Sequence, residues 1–469
     1  MLDNPPFVKK FDFRGIYGKD IFDRDAFYVG LSLVEVLKPK KVLLGWDTRS
    51  SSKQLALNMI EALKDKSVDI CFLDKVPIDY VTAGAYACDF DVSIMFTGSH
   101  NTWEWTGMLI HIKGGRSLDG ELVKKVVERY KDFLMTNSYK EPDVKLTEFK
   151  NFEPDIEKIY SDKIKSLIPL SEITSQKVII DIGDGSGSKS LALLEKLLPQ
   201  VTFERLCDRQ LYDQDSKHTA DPSEIKNMEH IMSEMKDKDF SAGFVFDSDG
   251  DRVLALDSDL NLLNGSVLSS ALIQCFSMLS LLDKKVGYAV ECGPSFYNTV
   301  VDLNKTNVAP ISIMPIPVGR SILRGMVFDS KIDFGFENVG HFYIKDFFMT
   351  DSAVFVLACI LYWASMNGSL SKIIKLHPDG SRFQTSKKLS PETDSYNAQI
   401  EIEVLQKYEN SDIQKITVDG VRLEILNDGY MSAWIAFRKS GYEEIEKYYS
   451  GALDLSEATY LRELIDTKA

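Results

Sequence analysis

Short β-branched runs alternate with helix-period segments in three successive stretches of this chain, and that alternation confines it to parallel α/β layers. Lys41–Gly45, Val68–Leu73 and Val92–Phe96 read as strands, with a helical pattern over Lys53–Leu63. A second unit opens with Lys177–Gly183, a loop to Ser188 and a helix to Leu198, and a third offers Lys285–Glu291, Ile311–Ile316 and Ile332–Phe336. No exact sequence period is visible, so the units are expected to repeat a fold and not a sequence. After Pro378 and Gly380 the character changes. Ile416–Ile425 and Ala433–Phe437 read as an antiparallel meander with a turn at Asp419-Gly420. The expected fold class is α/β, with three similar mixed α/β domains followed by a C-terminal α+β domain. A length of 469 residues leads to an expectation of about three to four domains. The expected boundaries are 1–150, 151–256, 257–374 and 375–469. Thr136–Asp155 reads as a connector and Pro378–Lys388 as a hinge.

Ligand sites in open α/β sheets lie at the carboxyl ends of strands, and two chemistry-bearing runs occupy such ends. The first is Asp247-Ser248-Asp249-Gly250-Asp251-Arg252, which follows the apolar run Phe240–Phe246. Three carboxylates at alternate positions repel one another, and oxygen donors without Cys or His suit a hard divalent ion such as Mg2+. An EF-hand loop would need Gly at its sixth position and Glu at its twelfth, where this chain has Arg252 and Ser258. The motif alone leaves a solvated acidic turn as the alternative. The second run, Thr97-Gly98-Ser99-His100-Asn101, follows Val92–Phe96 and makes Ser99 a candidate nucleophile. No Gly-x-Ser-x-Gly elbow surrounds Ser99, which disfavours acyl transfer. A serine that carries a phosphoryl group beside a divalent cation fits both runs.

The charge balance narrows the partners. A formal net charge of −15 supplies no basic stripe for nucleic acid, so an anionic ligand must be held by local cations. Gly265–Leu282 contains five serines and a glutamine and reads as a buried helix, not a membrane span. Six scattered cysteines without a C-x-x-C pair, and an amino end without a signal-like apolar core, lead to the expectation of a cytoplasmic protein with reduced thiols. The six histidines show no zinc spacing, and Gly183–Gly187 lacks both the G-x-G-x-x-G fingerprint and the Walker lysine, so it reads as a plain strand-to-helix turn.

With these residues in place, the chain resembles the α-D-phosphohexomutase superfamily, most closely its phosphomannomutase/phosphoglucomutase branch. The resemblance is carried by Phe11–Gly18, Gly45–Ser51, the Thr97–Asn101 loop, the Asp247–Arg252 loop, Pro317–Arg320, Gly335–His341 and Arg438–Glu443, in that order along the chain. It implies four domains around a central cleft and an intramolecular phosphotransfer between hexose 1-phosphate and hexose 6-phosphate. Ser99 would carry the phosphoryl group, and a hexose 1,6-bisphosphate would be intermediate and activator. Asp247, Asp249 and Asp251, with the oxygen of Ser99, would bind Mg2+. Arg14, Arg49 and Arg252 would surround the transferring group with positive charge. Arg320, Glu337, Asn338 and His341 would meet the sugar, and Arg438, Ser440, Gly441 and Tyr442 the non-reacting phosphate. The partner implied is a small sugar phosphate, with neither nucleic acid nor membrane, acting on a monomer or homodimer.

Several positions depart from the family pattern. Thr106-Gly107-Met108-Leu109 stands where the family has Asn-Gly-x-Lys, so an amine beside the serine is lost; His111 or His100 is a candidate to replace part of it, while an ordinary strand histidine is the expected reading of His111. Val339 replaces a hydroxyl side chain, and Tyr442 and Glu444 replace Thr and Pro. Trp103 and Trp105 replace a proline turn and are core or lid residues, with packing the expected reading. Mannose and glucose phosphates are the expected substrates. Phosphoglucosamine, or a catalytically impaired homologue that only binds a sugar phosphate, are the alternatives.

Overall fold

The computed structural model describes residues 4–9, 12–118, 120–136, 139–217, 219, 221–281, 285–306, 310–440 and 444–468. The expected Gly441 and Tyr442 contacts lie outside the described residues. The chain divides into two compact units, Met1–Leu260 with Ile344–Tyr362, and Asn261–Tyr343 with Trp363–Ala469.

In the first unit, β1 (Phe13–Ile16), β2 (Lys41–Trp46), β3 (Asp69–Leu73), β4 (Val92–Phe96), β5 (Trp105–Ile112) and β6 (Lys150–Asn151) form a mixed sheet in the order β1-β5-β4-β2-β3-β6. β2 is parallel to β3 and β4, while β5 runs antiparallel to both β4 and β1. Every residue of β4 is buried, as a strand with apolar neighbours on both faces requires. Helices Asp23–Leu37 and Ser50–Leu63 pack against each other, where Gly30 lies close to Met59 and Ala62. The next sheet of this unit consists of β7 (Lys177–Asp181), β8 (Thr202–Leu206), β9 (Ala242–Phe246) and β10 (Val253–Asp257), ordered β10-β9-β7-β8; the two-residue β11 (Leu262–Leu263) belongs to the second unit.

In the second unit, β12 (Lys285–Ala289), β13 (Ser312–Ile316), β14 (Phe334–Phe336) and β15 (Phe342–Ile344) are ordered β13-β12-β14-β15, with β12 parallel to β13 and β14. The last sheet is antiparallel throughout: β16 (Ser381–Lys388), β17 (Asp412–Ile416), β18 (Val421–Asn427), β19 (Tyr430–Lys439) and β20 (Ile445–Ala452), ordered β16-β20-β19-β18-β17. Its apolar face is covered by Ile400 and Val404 of one helix and Leu461, Leu464 and Ile465 of another. Three mixed α/β sheets and a C-terminal antiparallel one are thus the architecture.

Three local expectations change. The Thr136–Asp155 stretch is more than a connector, because its Lys150-Asn151 pair joins the sheet edge beside β3 and a helix begins at Glu153. The expected hinge is mostly strand, since Ser381–Lys388 pairs over its whole length with β20. Trp103 does not pack as expected and is 40% exposed. The helix expected over Gly265–Leu282 runs Gly265–Met278, capped by Asn264, whose side chain accepts from Val267 N at 3.1 Å. Among the described residues no helix is long and apolar enough to cross a membrane.

Candidate active site

The Ser99 loop leaves the carboxyl end of β4 through a glycine that has no substitute. A Cβ on Gly98 would lie 2.3 Å from the Trp105 carbonyl and 2.8 Å from Arg49 Nε. Ser99 then adopts a left-handed backbone, φ 53°, and its N–H donates to Thr97 Oγ1 at 2.8 Å. Two clamps hold its carbonyl oxygen, Arg49 Nη2 and Ser248 Oγ, each at 2.7 Å. The hydroxyl is left out of these clamps, with His100 Nδ1 at 3.3 Å.

Arg49 is the fastening of this region. Its Nη2 also donates to Asn101 O at 2.7 Å, and its Nη1 donates to Ser248 Oγ at 3.0 Å and to Asp47 Oδ2. Tyr212 lies beneath the guanidinium, 4.7 Å from the ring centre. The arginine expected around the transferring phosphoryl group is therefore occupied in joining the Ser99 loop to the acidic loop. Sequence reading missed Asp47 and Ser248, the two partners that orient it.

The acidic loop follows β9. Asp247, Asp249 and Asp251 are buried, and one carboxylate oxygen from each falls within 4.8 Å of the others. Asp247 also holds the loop: Oδ1 accepts the N–H groups of Asp251 and Arg252, each at 3.0 Å, and Oδ2 accepts Arg252 Nε at 3.0 Å. Burial first, and Asp251 after it, push the Asp247 carboxyl up to about 7 despite Arg252. Three like charges gathered away from water require a cation to balance them. An all-oxygen trio fits a hard divalent ion, so the site suits a metal. Arg252 Nη1 reaches Asp221 at 3.2 Å, whereas Nη2 is buried without a hydrogen-bond partner.

The serine loop and the acidic loop meet. Thr97 Oγ1 donates to Asp249 Oδ2 at 3.1 Å, and Ile78 N–H donates to the Asp249 carbonyl at 3.0 Å. The glycine turn read as ordinary also takes part. Ser186 N–H and Oγ bond to the Ser248 carbonyl at 2.8 and 3.1 Å, and a Cβ on Gly185 would sit 2.6 Å from that oxygen. Arg14, on β1, lies in register with Gly107, whose carbonyl accepts Thr97 N–H, and its side chain pairs with Asp12 at 3.0 Å. His111 stands back from this loop, as an ordinary strand histidine does: the register places it opposite Ser93, three residues or about 10 Å before the end of β4 from which the Ser99 loop leaves. Of the two histidines only His100 lies beside the serine.

In the second unit, Glu337 follows β14 and its Oε1 accepts Gly319 N–H at 2.7 Å, at the start of helix Arg320–Phe328. The Asn338 amide oxygen accepts from Ser266 N at 3.2 Å and Ser266 Oγ at 2.8 Å, so that side chain anchors its own loop. His341 stacks on Tyr343 with centroids 5.9 Å apart. Arg438, at the end of β19, pairs with Asp419 at 3.4 Å, and the other partner of Asp419 is Val318 N–H at 3.1 Å. Asp419, read from sequence as only a turn residue, ties the Pro317–Arg320 segment to the arginine. Ser440 N–H bonds to the Ile445 carbonyl at 2.9 Å.

Known proteins resemble this chain. The family profile of phosphoglucomutase/phosphomannomutase alpha/beta/alpha domain I matches residues 7–134, and that of domain II matches residues 157–260. The chain belongs to the α-D-phosphohexomutase superfamily. A phosphomannomutase of Methanocaldococcus jannaschii is 25% identical to this chain over 390 residues, 81% of either chain. A phosphoglucomutase of Neisseria meningitidis is 27% identical over 258 residues, 54% of either chain. A phosphoglucomutase/phosphomannomutase family structure from Burkholderia thailandensis aligns with TM-score 0.78 at 20% identity, over 100% of this chain and 97% of its own. An N-acetylphosphoglucosamine mutase of Aspergillus fumigatus, solved with GlcNAc-6P and magnesium, aligns with TM-score 0.57 at 14% identity, over 92% of this chain and 83% of its own.

Proposed function

We propose that this phosphohexomutase interconverts the 1-phosphate and 6-phosphate of mannose or glucose through phospho-Ser99 and a hexose 1,6-bisphosphate. The observation that carries the reading is the Ser99 hydroxyl, presented by a loop bonded directly to a loop of three buried aspartates. In the first transfer the phosphorus–Oγ bond of phospho-Ser99 breaks as a bond from phosphorus to the sugar hydroxyl oxygen forms, and the hydroxyl proton passes to the serine oxygen. His100, 3.3 Å from Oγ, is the group placed to move that proton. The second transfer runs in the opposite sense from the other phosphate. Asp247, Asp249 and Asp251 would hold Mg2+, which when bound neutralises charge on a phosphoryl group. The unpartnered Arg252 Nη2 supplies a further donor. Glu337 orients sugar hydroxyls, and Arg438 and Ser440, with Gly441 and Tyr442, hold the phosphate that does not react.

Phosphorylation of Ser99, measured as an intact-mass adduct absent from Ser99→Ala, together with coupled turnover of mannose and glucose 1-phosphates, tests the reading. A chain without adduct or turnover on any hexose phosphate refutes it. One observation favours a second reading, a sugar-phosphate-binding homologue of low activity: Leu109, where the family has lysine, sits half-buried opposite Met95 and brings no charge. Tight binding of hexose phosphate without turnover would select it.

A further inference from the structure

Glu291 belongs to none of the signature loops, yet it stands at the carboxyl end of the sheet that carries Glu337. It lies two residues beyond β12, and Glu337 one residue beyond β14, and these strands are parallel neighbours. Adjacent strands run about 4.8 Å apart, so the two acids are delivered to one patch. They are 5% and 3% exposed. Glu291 Oε1 accepts Asn338 N–H at 3.2 Å, but Oε2 is buried without a hydrogen-bond partner. Burial, and then the neighbouring Glu337, push its carboxyl up to about 7. Arg382 donates Nη2 to the Glu291 carbonyl at 2.9 Å, and its Nη1 is likewise buried without a partner.

Unmatched buried donors and acceptors are costly, and native structures rarely keep them without a use. A hydroxyl both donates and accepts, so one sugar hydroxyl can serve Glu291 Oε2 and Arg382 Nη1 together. An ammonium would serve only the acid, and a phosphate would bring its charge against two neighbouring carboxylates. We propose that Glu291 is a second sugar-recognition carboxylate, which takes a ring hydroxyl of the hexose phosphate beside the one taken by Glu337 and so helps to choose the sugar. The inference rests on the phosphohexomutase reading and adds a specificity-determining residue to it.

The test is calorimetric binding, with turnover in parallel, of glucose 1-phosphate, mannose 1-phosphate and their monodeoxy analogues to the full chain, to Glu291→Gln and to Glu337→Gln. Glutamine keeps the Oε1 acceptor for Asn338, so the loop anchor survives. The substitution is expected to weaken binding of the preferred hexose phosphate roughly 10- to 100-fold. One monodeoxy analogue should bind wild type and Glu291→Gln alike, and a different analogue should equalise wild type and Glu337→Gln. Unchanged affinity of Glu291→Gln for every sugar, or an equal loss for all analogues, overturns the proposal and leaves a structural role. Should Glu291→Gln fold poorly, the same panel against Glu291→Asp decides. Wild type that fails to turn over, yet binds in this Glu291-dependent way, refutes the mutase reading and leaves the recognition role standing.

Discussion

The loops around Ser99 and the loops around Glu337 solve opposite problems. In the first, charged side chains are fastened to one another and to backbone: Arg49 holds two carbonyls, a hydroxyl and Asp47, and Asp247 accepts three donors from its own loop. In the second, Glu291 Oε2, Arg382 Nη1 and Arg438 Nε are buried without hydrogen-bond partners; the first keeps such atoms as well, Arg49 Nε and Arg252 Nη2, so what sets it apart is the number of its fastenings. A reacting centre gains from atoms that do not move, because little reorganisation is then left for the transition state. A recognition face gains from atoms that only the right ligand satisfies, because a wrong ligand leaves them bare. Substitutions in the first set are therefore expected to lower kcat, and those in the second to act mainly through substrate affinity.

The largest effect is expected from Ser99→Ala, which should abolish both the phosphate adduct and turnover while the protein still binds hexose phosphate. Chelation of divalent metal comes next. Turnover should vanish, and returning Mg2+ at 100 times its Kd should stabilise the fold by about 2.7 kcal/mol in thermal melts. Asp249→Asn should remove most of that gain, and a full gain in this variant would place the ion elsewhere. Arg49→Lys keeps the charge but loses the fork, and it should lower kcat roughly 100-fold with KM little changed. A loss confined to KM would erase the contrast between the two regions. Glu337→Gln should do the reverse, reducing kcat/KM roughly 10- to 100-fold, chiefly through KM.

The last effect falls on stability and not on turnover, and it probes an exception within the first unit. Asp79 accepts Tyr160 OH at 2.5 Å through Oδ2, while its Oδ1 is buried without a partner. Burial pushes this carboxyl up to about 7, although the Tyr160 and Ser352 hydroxyls pull it down. The folded pKa exceeds the unfolded one, so the folded state holds its proton more tightly. This contribution to stability is complete below about pH 4 and is lost as pH rises to about 7, amounting to about 4 kcal/mol at most. Asp79→Asn should flatten stability over that window, which denaturant titrations at several pH values would measure.

What the sequence disclosed follows from the range of its signals. The strand-to-loop transitions at Phe96-Thr97 and Phe246-Asp247 are local, and alternate carboxylates need no partner to be noticed, so Ser99 and the acidic trio were legible. Gly185 was read as a turn residue because its reason for being glycine is Ser248, more than 60 positions away. Period-2 reasoning gave His111 a face of its strand but not a height along it, and the register then sets the residue back from the serine loop. Glu291 and Asp419 are single acids in no pattern, and only the pairing of β12 with β14 and the bond to Val318 give them meaning. A two-residue strand such as Lys150-Asn151 is too short for any periodicity to reveal it.

One detail of the serine loop bears on how such an enzyme survives repeated use. Both clamps on residue 99 grip its backbone oxygen and neither touches the side chain. In the proposed cycle the hydroxyl gains and surrenders a dianion at every round, yet no fastening has to be undone for it to do so. In that cycle the loop would be a reusable holder, recharged in place and never rebuilt.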